Sequence, residues 1–264
     1  MPQSSPSALL IRLDAVGDAL ATVPLVAALH AKRIPVDVVL RRENAGVFSS
    51  RAVRSVVVAE FELRSSARSN VDAIERAGEG LAIREYTHAL VATEDPSGYR
   101  LALASRAPVR IGFSNAWGKP AKTMWTRRFL TQRVYRSAGL DRRAPHECRV
   151  IFELGRTLLG ESAEPSRDPN VLRPFVVDRD IAPDDRIAVQ ITDKWQRLGI
   201  PFGDVIDLLR RLQSFGALRL LASATEREYA GRIAAAMGIS VECFAEIAPW
   251  KEAIAATRAL VTPD

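Results

Sequence analysis

The chain has 264 residues, 47% hydrophobic and 26% charged, with 37 Lys/Arg against 31 Asp/Glu. That mixture excludes a disordered tail, a collagen-like chain and a coiled coil, and the length suits one large domain or two small ones without staples. Cys148 and Cys243 stand too far apart for a disulfide framework or an ordinary zinc site, which points to a reducing cytoplasm.

Residues 8–13 read as a first strand and 14–17 as a turn, followed by a helical pattern over 18–32 kinked at Pro24. Val36 to Leu40 is a short β-branched run, and a third strand centres on Val56-Val57-Val58. A weakly amphipathic helix is expected over 71–81, a strand over 87–92, a helix over 98–105, a strand over 109–113, and a longer helix over 146–159. Pro165, Pro169, Pro174 and Pro183 then mark a linker. Beyond it the pattern is strand 187–191, helix 202–215, strand 218–222, helix 226–237, strand 241–244, helix 249–256 and strand 259–262. Alternating strands and helices argue for parallel sheet on both sides of the linker. The last strand has no following helix, although a parallel sheet is covered on both faces, so the chain is read as a fragment. No apolar run approaches the roughly 20 residues of a membrane span, and the first residues lack the basic region of a secretory signal.

The positive charge is concentrated. Between residues 119 and 149, nine Lys/Arg stand against Asp141 and Glu147, a net of +7, with Trp125, Phe129 and Tyr135 among them and Trp117 beside them. Such a segment suits nucleic acid, an anionic membrane surface or an acidic ligand, or is simply a solvated loop with anchoring aromatics.

Three turns could carry chemistry. After the first strand, Gly17 lets a ligand approach the backbone, and Asp18 at the helix start lies where open α/β sheets bind ligands. Asp is equally a favoured N-cap. After strand 187–191, Thr192 and Lys194 sit where a phosphate would meet a βα turn, although Lys194 beside Trp195 could be a plain surface residue. After strand 218–222, Glu226 could accept hydrogen bonds from a ribose, or act as an acid in a helix's first turn. His30, His88 and His146 do not cluster, and no nucleophile or dinucleotide fingerprint is present, so neither metal nor cofactor is expected.

Residues 9–29, LLIRLDAVGDALATVPLVAAL, resemble the N-terminal signature of glycosyltransferase family 9, the bacterial lipopolysaccharide heptosyltransferases. Arg110-Ile111-Gly112-Phe113 resembles that family's strand near the end of its first domain. His146-Glu147 leading into Glu153-Leu154-Gly155 resembles its connecting helix, and residues 221–236 its donor-side strand and helix. The resemblance implies an α/β fold of GT-B type: two Rossmann-like parallel-sheet domains facing a cleft. Residues 1–165 would form the acceptor side, 166–184 a linker, and 185–264 an incomplete donor side.

It also implies inverting, metal-independent transfer of a heptose from ADP-heptose to a lipopolysaccharide core acceptor. The enzyme would be cytoplasmic, with peripheral contact at the inner membrane. Asp18 matches the general base, rather than Asp14, because it follows Gly17 and opens the helix towards the cleft. Lys194 matches a phosphate-binding lysine, with Thr192 beside it, and Glu226 a ribose-binding acid. Asp264 matches the first residue of the donor loop. Gly17 is expected at the acceptor, and Arg127 and Arg128 of the basic segment against an anionic glycolipid. Two features depart from the family. Gln190-Ile191-Thr192-Asp193 replaces a His-Pro-Gly-like turn, and the Gly and His of the donor loop are absent. Two alternatives stay open: a truncated or degenerate domain without activity, and a basic nucleic-acid-binding protein. No nucleic-acid module is visible, so no nucleic-acid partner is expected.

Overall fold

The computed structural model describes residues 5–63, 65, 68–137 and 145–262. The chain divides into two compact units, Met1–Asp178 and Arg179–Asp264. In the first unit the order is β1 (Ala8–Arg12), α1 (Val16–Leu20), α2 (Val23–Ala31), β2 (Val36–Leu40), β3 (Ser55–Val58), α3 (Arg68–Ala82), β4 (His88–Val91) and α4 (Pro96–Ala104). There follow β5 (Val109–Ser114), α5 (Pro120–Thr126), β6 (Gln132–Tyr135), α6 (Glu147–Phe152), α7 (Arg156–Leu159) and α8 (Pro169–Leu172).

The six strands are parallel in the order β3-β2-β1-β4-β5-β6, the 3-2-1-4-5-6 order of Rossmann sheets. Leu10 pairs with Val38 on one side and Leu90 on the other. All five residues of β1 are buried, as expected of a parallel strand covered on both faces. From β1 the chain winds outward to β2 and β3, then returns to β4 on β1's other side. That reversal opens a crevice at the carboxyl ends of β1 and β4. Glycine permits one close helix crossing: a Cβ on Gly78 of α3 would lie 2.1 Å from that of Ala104 in α4.

Several expected elements differ. Residues 18–32 form two helices rather than one kinked helix. The chain turns at Ala21-Thr22, and Pro24 occupies the second position of α2, where a missing N–H costs nothing. The helix expected over 146–159 is α6, a 3₁₀ turn Glu153–Gly155, and α7. The basic segment contains α5 and the edge strand β6, which its charged sequence disguised; Arg142 and Arg143 lie outside the described residues. In the proline-rich stretch, Ser49 N donates to the Phe175 carbonyl at 2.9 Å, and His30 meets the Phe175 ring edge-on at 5.3 Å. That stretch is thereby fastened to the first unit.

The second unit comprises β7 (Asp184–Ile191), α9 (Lys194–Arg197), α10 (Phe202–Gln213), β8 (Leu218–Ser223), α11 (Arg227–Met237), β9 (Val241–Phe244), α12 (Ile247–Ala255) and β10 (Thr257–Val261). Its sheet is parallel, ordered β10-β7-β8-β9, so its chain reversal falls between β7 and β10. Val189, Ile191, Leu209, Ala222 and Ile233 are fully buried in its core. Gly238, at φ 68°, ends α11 in the left-handed conformation that glycine adopts without strain.

Candidate active site

In the first unit, polar chemistry gathers at the reversal between β1 and β4, around a residue that sequence reasoning passed over. Arg12, the last residue of β1, is 1% exposed. Its Nη1 donates to the Ala92 carbonyl, just past the end of β4. Nη2 lies 2.8 Å from Asp18 Oδ1, Nε lies 3.3 Å from Asp14 Oδ2, and both terminal nitrogens reach Glu147 Oε1 at 3.4 Å. A planar guanidinium with five donors can serve several acceptors in one plane, which an ammonium cannot. The sequence did hold a signal: Arg12 is the lone charge in an apolar run that a doubly covered strand must bury.

The helix after β1 begins at Val16, so Asp18 does not open it but lies in its first turn. From there its Oδ2 accepts from Ala15 N at 3.2 Å, closing the helix start from within. Capping and the ion pair with Arg12 coexist on its two oxygens. Asp14 is the more enclosed of the two carboxylates. Burial pushes its carboxyl above the usual range, while Arg12 and the Thr93 hydroxyl pull the other way. Both line a cavity of about 920 Å³ over the carboxyl ends of β1, β2 and β3, together with Asp95, Arg41, Arg42 and Phe61. Gly17 is exposed, and a Cβ there would meet nothing within 4 Å, so no protein packing demands glycine. Arg127 and Arg128 are exposed on the surface and do not line this cavity.

The ionic network extends beyond Arg12. Arg136 Nη2 lies 3.0 Å from Glu147 Oε2, and its Nη1 lies 3.6 Å from Glu94 Oε1. Glu94 also meets Lys122 at 2.7 Å and Lys119 at 3.4 Å. Burial alone would raise the Glu94 carboxyl, but these cations outweigh it and bring it down to about 2. Glu94 was not named from sequence, and Arg136 and Glu147 were read only as part of the basic segment and the connecting helix, because only the fold brings residues 12, 94, 136 and 147 together. Among the described residues no cluster could hold a metal ion.

In the second unit, the ends of β7 and β8 bring Thr192, Lys194 and Glu226 together. Glu226 Oε1 accepts from Asp193 N at 3.1 Å, and Oε2 accepts from Ser223 Oγ at 2.6 Å. These bonds and one from Thr192 hold its carboxyl below the usual range although burial opposes them. Glu226 thus caps the turn after β8 and ties it to the turn after β7. Lys194 begins α9, and its backbone N–H donates to Thr192 Oγ1 at 3.2 Å. Asp264 lies outside the described residues.

No sequence-family model matches the chain, and no curated protein matches it. Solved structures do. The chain superposes on the glycosyl transferase family 9 protein from Veillonella parvula with a TM-score of 0.67 at 16% identity, covering 100% of this chain and 76% of that one. It superposes on E. coli heptosyltransferase WaaC with ADP at a TM-score of 0.69 and 18% identity, covering 97% and 81%. For E. coli ADP-heptose lipopolysaccharide heptosyltransferase II the values are 0.64 and 18%, covering 98% and 79%. The fold is that of these glycosyltransferases, two parallel Rossmann-like sheets in one chain.

Proposed function

We propose that this protein is a glycosyltransferase of the family 9 type. It would move a heptose from ADP-heptose to a lipopolysaccharide core acceptor, with inversion and without a metal. The observation that carries the reading is the pair of carboxylates on the buried Arg12, set beside a cavity at the reversal point of a Rossmann sheet. The likeness to heptosyltransferases, one of them solved with ADP, supports it.

In this reading an acceptor hydroxyl loses its proton to Asp18 as its oxygen attacks the anomeric carbon. The bond from that carbon to the diphosphate oxygen breaks on the opposite face, and ADP leaves with the electron pair. Arg12 holds Asp18 in place without touching the sugar. Thr192 and Lys194 bind the diphosphate, Glu226 the ribose, and Asp264 completes the donor site. Lysine suits a diphosphate as a point charge, and a fixed cation where charge develops is worth most in a water-poor site. Gly17 leaves room at the acceptor, whose anionic groups meet the basic segment.

Purified protein is incubated with ADP-heptose and heptose-free lipopolysaccharide, and ADP release is followed alongside transfer. Asp18→Asn lowers turnover by roughly 10²–10⁴-fold, the usual worth of a positioned base, with ADP-heptose affinity nearly unchanged. Asp14→Asn costs far less. Equal losses in both variants, or a loss confined to thermal stability, would return Asp18 to helix capping alone.

A further inference from the structure

The cavity beside Asp18 has walls whose chemistry the transfer step leaves unexplained. One wall is apolar. Ala59, Phe61 and Leu63 follow β3 at alternate positions and pack, partly buried, against a core cluster of the first unit. Two buried asparagines fix the rim around them. Asn70, 7% exposed, donates from Nδ2 to the Glu62 carbonyl at 2.8 Å and accepts at Oδ1 from Glu62 N at 2.8 Å. Asn44, 3% exposed, donates to the Asp14 carbonyl at 2.5 Å. An aromatic wall held from behind in this way is in place before a ligand arrives, so little ordering is left for binding to drive.

The rest of the lining is polar and one-sided in charge. Among the described residues, five carboxylates line the cavity, Asp14, Asp18, Glu43, Glu62 and Asp95, against two guanidinium groups, Arg41 and Arg42. Both arginines are already engaged: Arg41 lies 3.1 Å from Glu43, and Arg42 3.3 Å from Glu60. The buried Arg12 is shared among Asp14, Asp18 and Glu147. Fixed charges in a walled site act through a lower dielectric than bulk water, so a negative group brought into this cavity is repelled by most of its lining. A hydroxyl is favoured instead, since an ionised carboxylate only accepts hydrogen bonds. A sugar ring meets both parts of the lining, its C–H face against Phe61 and its hydroxyls on the carboxylates.

We propose that this cavity seats the acceptor as an uncharged sugar ring and turns away sugar acids and sugar phosphates. The inference rests on the reading of Asp18 as the base that takes the acceptor's proton, and it narrows that reading. Whatever anionic groups the whole acceptor carries lie outside the cavity, and the ring that receives the new sugar bears none.

Binding is measured without donor. Methyl glucoside, methyl glucuronide and methyl glucoside phosphate present one ring with no charge, a carboxylate or a phosphate. Each is titrated into the full chain at about 0.05 M and 1 M salt, and the backbone amide NMR shifts of Ala59, Phe61 and Leu63 are followed. The glucoside shifts these amides and saturates. At low salt the glucuronide and the phosphate bind at least about tenfold more weakly, and the gap narrows at high salt. Phe61→Ala lowers glucoside affinity about fivefold, while the amides of β1 and β4 keep their positions and show the unit folded. Glu43→Gln with Glu62→Gln narrows the gap between glucoside and glucuronide at least about threefold. Equal or tighter binding of the glucuronide at low salt would overturn the proposal. So would saturable shifts that map away from Ala59, Phe61 and Leu63, or no shift with any of the three sugars. ADP release from ADP-heptose and lipopolysaccharide is read alongside: its absence beside selective glucoside binding sinks the heptose transfer and not the preference of the cavity.

Discussion

Replacing Arg12 by methionine keeps much of the aliphatic length and removes the guanidinium. The Ala92 carbonyl then loses its buried donor, and leaving a buried polar group unpaired costs about 1–3 kcal/mol. Asp18 and Asp14 lose a partner at 2.8 and 3.3 Å, but their side chains are 41% and 30% exposed, so water takes up much of that loss and each pair contributes about 0.5–1 kcal/mol. Glu147 keeps Arg136 at 3.0 Å and adds little. The expected total is about 2–5 kcal/mol, confined to the first unit. Because the chain forms two units, one unfolding free energy is not well defined. Hydrogen exchange read peptide by peptide separates them: β1 and β4 lose protection in Arg12→Met while β7 and β8 do not. Arg12→Lys recovers less than half, since an ammonium cannot reach the carbonyl and the carboxylates at once. A loss below about 1 kcal/mol, or equal recovery by lysine, would refute the picture of one guanidinium organising the site.

The remaining predictions concern packing, acid and the second unit. Asp37 is fully buried and bonded to Arg54, Arg84 and Tyr86, and these bonds hold its carboxyl well below the usual range although burial opposes them. Its native value lies below the unfolded one, so its contribution is complete above about pH 4 and fades as pH falls towards the native value. Urea midpoints of the first unit should therefore fall below about pH 4, and Asp37→Asn should flatten that limb while costing about 2–4 kcal/mol at neutral pH. Gly78→Ala places a Cβ against Ala104 and should cost about 1–3 kcal/mol despite better helix propensity, with Ala104→Gly rescuing it in thermal melts. Glu226→Ala removes the acceptor shared by Asp193 N, Ser223 N and Ser223 Oγ. It should loosen β7 and β8 by about 1–2 kcal/mol in hydrogen exchange, and weakened ADP binding without that loosening would count against the capping role.

The sequence by itself determined the layout. Buried parallel strands need continuous apolar runs and amphipathic helices need their period, both local properties, so residues 8–13, Val36 to Leu40 and 241–244 were legible as strands and 202–215 as a helix. Turn chemistry was legible too, placing Asp18, Lys194 and Glu226 at the carboxyl ends of strands. Short charged elements were not: β6 reads as a polar loop because an edge strand takes its stability from β5, not from its own residues. The split of residues 18–32 into two helices was only half legible: Pro24 offers no N–H to the Leu20 carbonyl and suits the second position of a helix, so α1 ends at Leu20 and α2 starts at Val23 instead of one helix kinking. Tertiary structure alone decided that Arg12, Glu94, Arg136 and Glu147 form one ionic network. Parallel strands adjacent in space are joined through long crossovers, so β1 meets β4 some 80 residues later. A charge that looked like an anomaly inside β1 became the centre of the site only when that crossover closed.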